Sequence, residues 1–290
     1  MALSGVGVAL ITPFKTDGLV DFNALGTVID YVIKGKVNYL VTLGTTGETA
    51  TLNEEEKLAV LDFTYSHVNG RVPVVVGIGG NNTAEVIHII KTWPLEKAAA
   101  ILSVSPYYNK PSQEGIYQHY AAIARSTEKN IILYNVPGRT NSNISAETTI
   151  RLANDFKNII GTKEASGRME QCMHLVKNRP EGFLLISGDD HVTMPLIACG
   201  FDGVISVAAN CFAAEFTQLV HLALDGNYAE ARKLQSKLLV GMDLLFAENN
   251  PAGVKAFMAE MKLIENVLRL PLVPLSAGWH QQVKEYLGYK

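Results

Sequence analysis

Short polar segments follow several apolar runs of this chain, and they contain residue types that together support carbonyl chemistry. The segments cover residues 44–48, 105–109, 134–139 and 163–164, and they contain two adjacent threonines, three tyrosines, Arg139 and Lys163. A lysine amine attacks a carbonyl carbon, a phenol transfers protons, and a guanidinium binds a carboxylate. This combination predicts imine formation with a keto acid.

Lys163 is the candidate nucleophile. It ends the apolar run 159–163, and the alternation of side chains along a strand predicts that it shares one side with Gly161 and Ile159. A lysine inside a barrel loses hydration, which favours the neutral amine that carbonyl attack requires. The alternative is a lysine at a strand end whose ammonium group reaches solvent.

Formation and breakdown of an imine also require proton transfer. Tyr134 lies one strand earlier at an equivalent depth, so its phenol is the candidate proton carrier. Thr45 and Tyr108 have the hydroxyls that would complete a relay. Each of these residues, taken singly, is also typical of an ordinary barrel rim.

Two further features predict carboxylate binding. Thr45 and Thr46 lie between two glycines, and a tight turn of this composition directs backbone N–H groups towards an anion. Arg139 has a planar guanidinium that binds a second carboxylate at the pocket entrance. Without such a ligand, Arg139 would be a surface residue of a Pro-Gly loop.

The elements that position these residues follow from apolar runs bounded by Gly, Pro, Asn or Thr, which are typical of buried strands. Asn53, Thr83 and Ser145 each precede a segment with acid in its first turn, as helix N-caps do. The predicted strands cover residues 6–11, 39–43, 72–78, 99–104, 131–135, 159–163, 183–187 and 203–207.

Alternation of buried strands with helices indicates a parallel sheet. The first run ends in Thr12-Pro13-Phe14 rather than in the Gly-rich loop of a doubly wound dinucleotide fold. We therefore predict an α/β fold, a (β/α)8 TIM barrel over residues 1–224, with a C-terminal helical extension over residues 225–290. In such barrels the active site lies at the carboxyl ends of the strands, where the polar segments are.

Composition excludes several other classes of protein. A net charge of −3 gives no positive field for nucleic acid, and we expect no signal peptide and no membrane association. The three cysteines are irregularly spaced, as in reduced cytoplasmic proteins. The histidines are scattered, so we expect no metal site and no cofactor.

The motifs resemble those of the dihydrodipicolinate synthase family, also called 4-hydroxy-tetrahydrodipicolinate synthases, over essentially the whole chain. This family makes a precursor of lysine through the diaminopimelate route and belongs to the class I pyruvate-dependent aldolases. The resemblance rests on residues 44–48, 106–111, 134–140, 163–167 and 187–190.

The resemblance implies a lyase that condenses pyruvate with L-aspartate 4-semialdehyde through an imine on Lys163, with no separate cofactor. It implies a proton relay of Tyr134, Thr45 and Tyr108, in which Tyr108 reaches the active site of a neighbouring subunit. The expected assembly is therefore a homotetramer, a dimer of dimers. The implied substrate contacts are Thr46 for pyruvate, Arg139 for the semialdehyde, and Gly188 and Ile205 in the pocket wall.

Many family members are inhibited by lysine at an interface site. Asn81, Glu85 and Tyr107 match the pattern of this site, which would also include Thr49 and Ala50, although Thr49 replaces a smaller serine. Other positions depart from the pattern of lysine-sensitive bacterial members, because Glu54 and Lys57 stand where those often have histidines. A cationic Lys57 near a cationic ligand is unfavourable, so we predict weak or absent inhibition by lysine.

Three other hypotheses use the same barrel. A lyase for a longer 2-keto sugar acid would share Lys163 and Tyr134. A non-catalytic barrel would bind a keto acid without an amine nucleophile. A phosphate site would use the loops after strands seven and eight, but the two aspartates in residues 187–190 would repel phosphate.

Overall fold

The computed structural model describes residues 3–288, and its centre is a closed barrel of parallel strands. Each strand pairs with the next one in sequence, and the last pairs with the first. This confirms the predicted TIM barrel. The strands are β1 (Gly5–Ala9), β2 (Tyr39–Thr42), β3 (Val74–Gly77), β4 (Ala98–Val104), β5 (Ile131–Asn135), β6 (Ile159–Glu164), β7 (Leu184–Ser187) and β8 (Gly203–Ser206).

Helices surround the barrel and continue after its last strand. The helices are α1 (Phe22–Lys34), α2 (Glu54–Val68), α3 (Thr83–Thr92), α4 (Gln113–Arg125), α5 (Pro137–Thr140), α6 (Ala146–Asp155), α7 (Met169–Asn178), α8 (Thr193–Cys199), α9 (Ala213–Leu224), α10 (Tyr228–Phe246), α11 (Ala252–Glu260) and α12 (Ala277–Tyr286). Short 3-10 turns occur at Thr45–Gly47, Thr49–Thr51 and Ala208–Asn210.

Two apolar clusters hold these layers together. The larger one lies between strands and helices, and the smaller one fills the barrel interior with side chains such as Tyr39, Val75 and Ile186. Tyr39 is fully buried beside Gly7, where a Cβ atom would lie 2.2 Å from the tyrosine ring. The interior is therefore packed near the amino ends of the strands, as in other barrels of this class.

The helix caps agree with the sequence in two of three cases. Asn53 caps α2 and forms a reciprocal capping box with Glu56, and Ser145 caps α6. Thr83 was expected to cap α3, but Asn82 does so and Thr83 is the first helical residue. The Thr83 hydroxyl instead bonds to Nδ1 of His119, 2.8 Å away on α4.

The register of β6 differs from simple alternation. Ile131 pairs with Ile159 but Ile132 pairs with Gly161, so Ile160 is an extra residue in the strand. Ile159 consequently packs in the outer cluster rather than on the side of Lys163, which corrects the expected alternation. The irregularity precedes Gly161 and leaves Lys163 on the inner side.

The end of the chain is helical, as predicted. α10 packs against α8 and α9, and α11 and α12 pack against α10. The division into a barrel up to residue 224 and an extension after it remains an interpretation of the sequence. Between residues 3 and 288, no helix is both long enough and apolar enough to cross a membrane.

Candidate active site

A cavity of about 1040 Å³ opens at the carboxyl ends of the strands. Its wall includes Thr45, Thr46, Tyr134, Arg139 and Lys163. Residues from the end of the chain, between Phe246 and Leu272, form part of the same wall. The barrel thus brings together polar segments that are far apart in sequence.

Lys163 lies near the carboxyl end of β6, and its side chain is only 5% exposed. Its Nζ atom lies 4.3 Å from the centre of the Tyr134 ring on the neighbouring strand β5. The two residues are directly paired across the strands. The amine of Lys163 and the phenol ring of Tyr134 are therefore adjacent in the cavity wall.

Gly188 follows β7 and allows the lysine this position. A Cβ atom at Gly188 would lie 2.9 Å from Cε of Lys163 and 2.8 Å from Cβ of Ala165. Both contacts are shorter than normal carbon–carbon contacts. The absence of a side chain at Gly188 thus leaves room for the Lys163 side chain.

The Gly44–Gly47 turn lies across the cavity. Thr45–Gly47 form a 3-10 turn, with Thr46 buried and Thr45 exposed in the single chain. The Oγ1 atom of Thr46 accepts a hydrogen bond of 2.9 Å from Nδ2 of Asn250. The turn can present backbone N–H groups to a small anion.

Arg139 lies in the short helix α5, which begins with Pro137 immediately after Val136. One of its guanidinium nitrogens donates to the backbone oxygen of Asn250 at 3.3 Å. The other donor groups remain available for a ligand carboxylate. The structure therefore places Arg139 in the cavity wall, close to the end of the chain.

Two expected site residues lie outside this wall. Tyr108 is 89% exposed and has a positive φ of 71°. Ile205 is 1% exposed and belongs to the cluster that fills the barrel interior. Within one chain, the structure does not bring Tyr108 together with Tyr134 and Thr45, and Ile205 lies deeper in the barrel.

The expected effector residues surround another part of the same cavity, whose wall includes Thr49, Ala50, Asn81, Glu85, Tyr107 and Lys57. Nδ2 of Asn81 donates to the backbone oxygen of Tyr107 at 3.1 Å. The structure thus brings these positions together, and Lys57 is among them.

The model of the dihydrodipicolinate synthetase family matches residues 2–289. A 4-hydroxy-tetrahydrodipicolinate synthase of Parabacteroides distasonis is 52% identical over 285 residues, which are 98% of this chain and 96% of the relative.

Two solved structures are similar over nearly the whole fold. A monomeric variant of dihydrodipicolinate synthase has a TM-score of 0.96 and 40% identity, covering 99% of this chain and 96% of the other. A chloride-inhibited dihydrodipicolinate synthase of Acinetobacter baumannii, in complex with pyruvate, has a TM-score of 0.95 and 38% identity, covering 99% and 98%.

The chain belongs to the dihydrodipicolinate synthetase family. This membership confirms the family predicted from the motifs and the lyase class of aldolase type. It also confirms the 4-hydroxy-tetrahydrodipicolinate synthase activity and its place in lysine biosynthesis.

Several polar residues of the cavity were not predicted from the sequence as site residues. Asp189 and His191 follow Gly188 and line the cavity. The Nε2 atom of His191 lies 3.0 Å from Oδ1 of Asp243 on α10. Hydrogen bonding with His191 lowers the pKa of Asp189, and the same contact raises the pKa of His191. The motif at residues 187–190 pointed to Asp189, whereas nothing local pointed to Asp243.

A buried carboxylate also lies next to the lysine in sequence. Glu164 is 2% exposed and accepts hydrogen bonds from side-chain nitrogens of Asn135 and Gln171 and from the backbone of Ser166. Asn135 in turn accepts from the backbone of Ile144 at 2.9 Å. This network ties the end of β6 to the loop after β5, which carries Arg139.

Proposed function

We propose that the chain condenses pyruvate with L-aspartate 4-semialdehyde through an imine on Lys163. The observation that carries this proposal is the pairing of Lys163 with Tyr134 in a cavity that also contains Thr46 and Arg139. The pyruvate complex of the Acinetobacter relative supports the choice of the first substrate.

In the first step, the neutral amine of Lys163 attacks the keto carbon of pyruvate. A C–N bond forms, the keto oxygen leaves as water, and Tyr134 transfers the required protons. The pyruvate carboxylate binds the turn at Thr45 and Thr46, because its backbone N–H groups stabilise an anion without a cationic side chain.

In the second step, the pyruvyl methyl group loses a proton and the imine becomes an enamine. Its carbon attacks the aldehyde of the semialdehyde, whose oxygen takes up a proton. The iminium nitrogen accepts the electron pair of the broken C–H bond, so we propose that no separate cofactor is needed. Arg139 holds the carboxylate of this second substrate.

In the last step, the amino group of the former semialdehyde attacks the imine carbon. The new C–N bond closes the ring, the bond to Lys163 breaks, and 4-hydroxy-tetrahydrodipicolinate leaves. The lysine amine is then free for another molecule of pyruvate.

We also propose that Tyr108 completes the relay in a neighbouring subunit of a homotetramer. Its exposure and its positive φ support a role outside its own chain. Exposed apolar residues on other faces, including Met169 and Met173 on α7 and Leu270 and Val273 near the cavity, support further contacts between subunits.

Weak or absent inhibition by lysine remains our proposal for the effector region. Lys57 lies in the same cavity wall as Glu85 and Asn81, and its charge opposes binding of a cationic amino acid. A cytoplasmic location and the absence of a nucleic acid partner also stay predictions.

The decisive experiment is reduction with borohydride in the presence of pyruvate, followed by intact mass and peptide mapping. We expect a reduced pyruvyl adduct on Lys163 and none in Lys163→Ala. A folded wild-type protein that gives no adduct would refute the mechanism and favour a keto-acid-binding barrel. Turnover of aspartate semialdehyde without turnover of sialic acid would exclude the sugar-acid lyase.

A further inference from the structure

A buried ion pair joins the carboxylate-binding turn to the end of the chain. Glu48 follows the turn, and its carboxylate pairs with the ammonium group of Lys255 on α11. Both side chains are 0% exposed. Neither residue has a part in the proposed chemistry, although Glu48 also lies in the cavity wall.

The backbone of Glu48 needs such an anchor. Its φ of 51° lies in the left-handed region, which costs energy for a residue with a side chain and persists only when its surroundings hold it. Glu48 ends the 3-10 turn that contains Thr45 and Thr46. Any movement of Glu48 therefore shifts the backbone N–H groups of these threonines.

The partners of the Glu48 carboxylate come from the last part of the chain. Besides Lys255, the backbone N–H of Arg269 donates to its carboxylate at 3.1 Å. Lys255 also donates to the backbone oxygen of Val267 at 2.9 Å, and its ammonium lies 4.1 Å from the centre of the Phe14 ring. One carboxylate thus connects α11, the segment after it and the turn.

A second set of contacts also joins the last part of the chain to the segment after β2. Asn250 bonds to Thr46, and the Arg269 guanidinium donates to the backbone oxygen of Thr51 at 2.9 Å and pairs with Glu56. The end of the chain therefore holds the segment from Thr46 to Glu56 at several points.

Stability alone does not explain a buried ion pair. Two apolar residues of similar volume often give equal or greater stability, because the charges lose their hydration. Burial lowers the pKa of Lys255 to about 8, and the Glu48 carboxylate opposes this shift. Glu48 thus stabilises the ammonium form of Lys255.

We infer that Lys255 and Glu48 are positioning residues, which fix the turn of Thr45 and Thr46 so that it binds the carboxylate of pyruvate. The C-terminal helices are then part of the construction of the active site. This inference rests on the proposed function, because it assigns the turn to pyruvate.

The test uses the full-length variants Glu48→Gln, Lys255→Met and the double variant. The pyruvate concentration that gives half-maximal borohydride trapping is measured without the second substrate, along with KM for each substrate and Tm. We expect each single variant to lower Tm and to raise the half-saturating pyruvate concentration on the order of tenfold, the effect of weakening one charge-assisted hydrogen bond. The KM for the semialdehyde is expected to stay unchanged.

The double variant separates positioning from stability. It contains no unpaired buried charge, so we expect its Tm to return towards that of the wild type, while the half-saturating pyruvate concentration stays raised. If a single variant fails to fold, the double variant is compared directly with the wild type, and the same two results are expected. Recovery of pyruvate binding together with Tm would overturn the inference.

The partly exposed ion pair of Arg179 and Asp202 provides a control at the other end of the barrel. It lies at the amino end of the barrel, before β7 and β8. Arg179→Met is expected to lower Tm without changing pyruvate binding. Absence of trapping in the wild type would refute the proposed function, whereas wild-type trapping with unchanged pyruvate binding in the Glu48 and Lys255 variants refutes only the positioning inference.

Discussion

Gly188 lies so close to Lys163 that a Cβ atom on the glycine would be 2.9 Å from Cε of the lysine. The lysine therefore depends on the empty space beside Gly188 for its place in the cavity. The same Cβ atom would lie 2.8 Å from Cβ of Ala165. An added methyl group at Gly188 therefore has to displace the lysine side chain.

We expect Gly188→Ala to lower kcat and the rate of imine trapping by about 10- to 100-fold, since small displacements of a reacting group have effects of this size. Steady-state kinetics and borohydride trapping measure both quantities. Gly138→Ala is the control, because a Cβ there meets no atom within 4 Å. Equal kinetics of Gly188→Ala and the wild type would show that Lys163 does not need this space.

Arg139→Lys keeps the positive charge but loses the planar guanidinium. We expect KM for the semialdehyde to rise by about tenfold or more, because a lysine cannot form the two parallel hydrogen bonds to a carboxylate. The pyruvate concentration for half-maximal trapping is expected to stay the same. An equal rise in the pyruvate value would assign Arg139 to the first substrate or to the turn instead.

The shared role of Tyr108 is tested by mixing two inactive variants. If Tyr108 acts in a neighbouring subunit, coexpression of Lys163→Ala with Tyr108→Phe creates mixed dimers with one complete site. Random pairing in a two-fold dimer then restores about a quarter of the wild-type activity. Activity no greater than the sum of the two parents would place Tyr108 in its own subunit or outside the reaction.

His119 is expected to make the fold sensitive to acid. Burial lowers the pKa of His119 to about 4, from 6.5 in an exposed histidine. Between these values the unfolded chain binds a proton that the folded chain does not, so stability falls as the pH decreases from 6.5 to 4. The loss amounts to about 3 kcal/mol at most.

Thermal unfolding at pH 7 and pH 5 measures this effect. His119→Gln retains a side chain that can bond to Thr83, and we expect a smaller loss of Tm between the two pH values than in the wild type. His88→Gln changes an exposed histidine on α3 and is expected to keep the wild-type dependence. An unchanged dependence in His119→Gln would show that another group causes the sensitivity to acid.

Much of the fold was predictable because the information is local. A strand buried on both faces reads as an apolar run, and Asn53 with Glu56 forms a capping box within one turn of helix. Lys163 and Tyr134 were predicted to lie together because both end strands of one barrel, and its geometry places adjacent strand ends side by side. The inward orientation of Lys163 was predicted from simple alternation of side chains along β6. Ile160 interrupts this alternation, so the argument holds only from Gly161 to Lys163.

Other parts of the site were decided by tertiary structure. Asn250 bonds to Thr46 across 204 positions of the chain, and Arg269 bonds to Glu48 across 221. No spacing or composition near these residues indicates such contacts, because they depend on how α11 and the segment after it pack over the barrel mouth. The sequence by itself determined the strands, two of the three predicted helix caps and the chemical groups at the strand ends. Only the packing of the last helices and the segment after α11 decided which distant residues hold the turn of Thr45 and Thr46 in place.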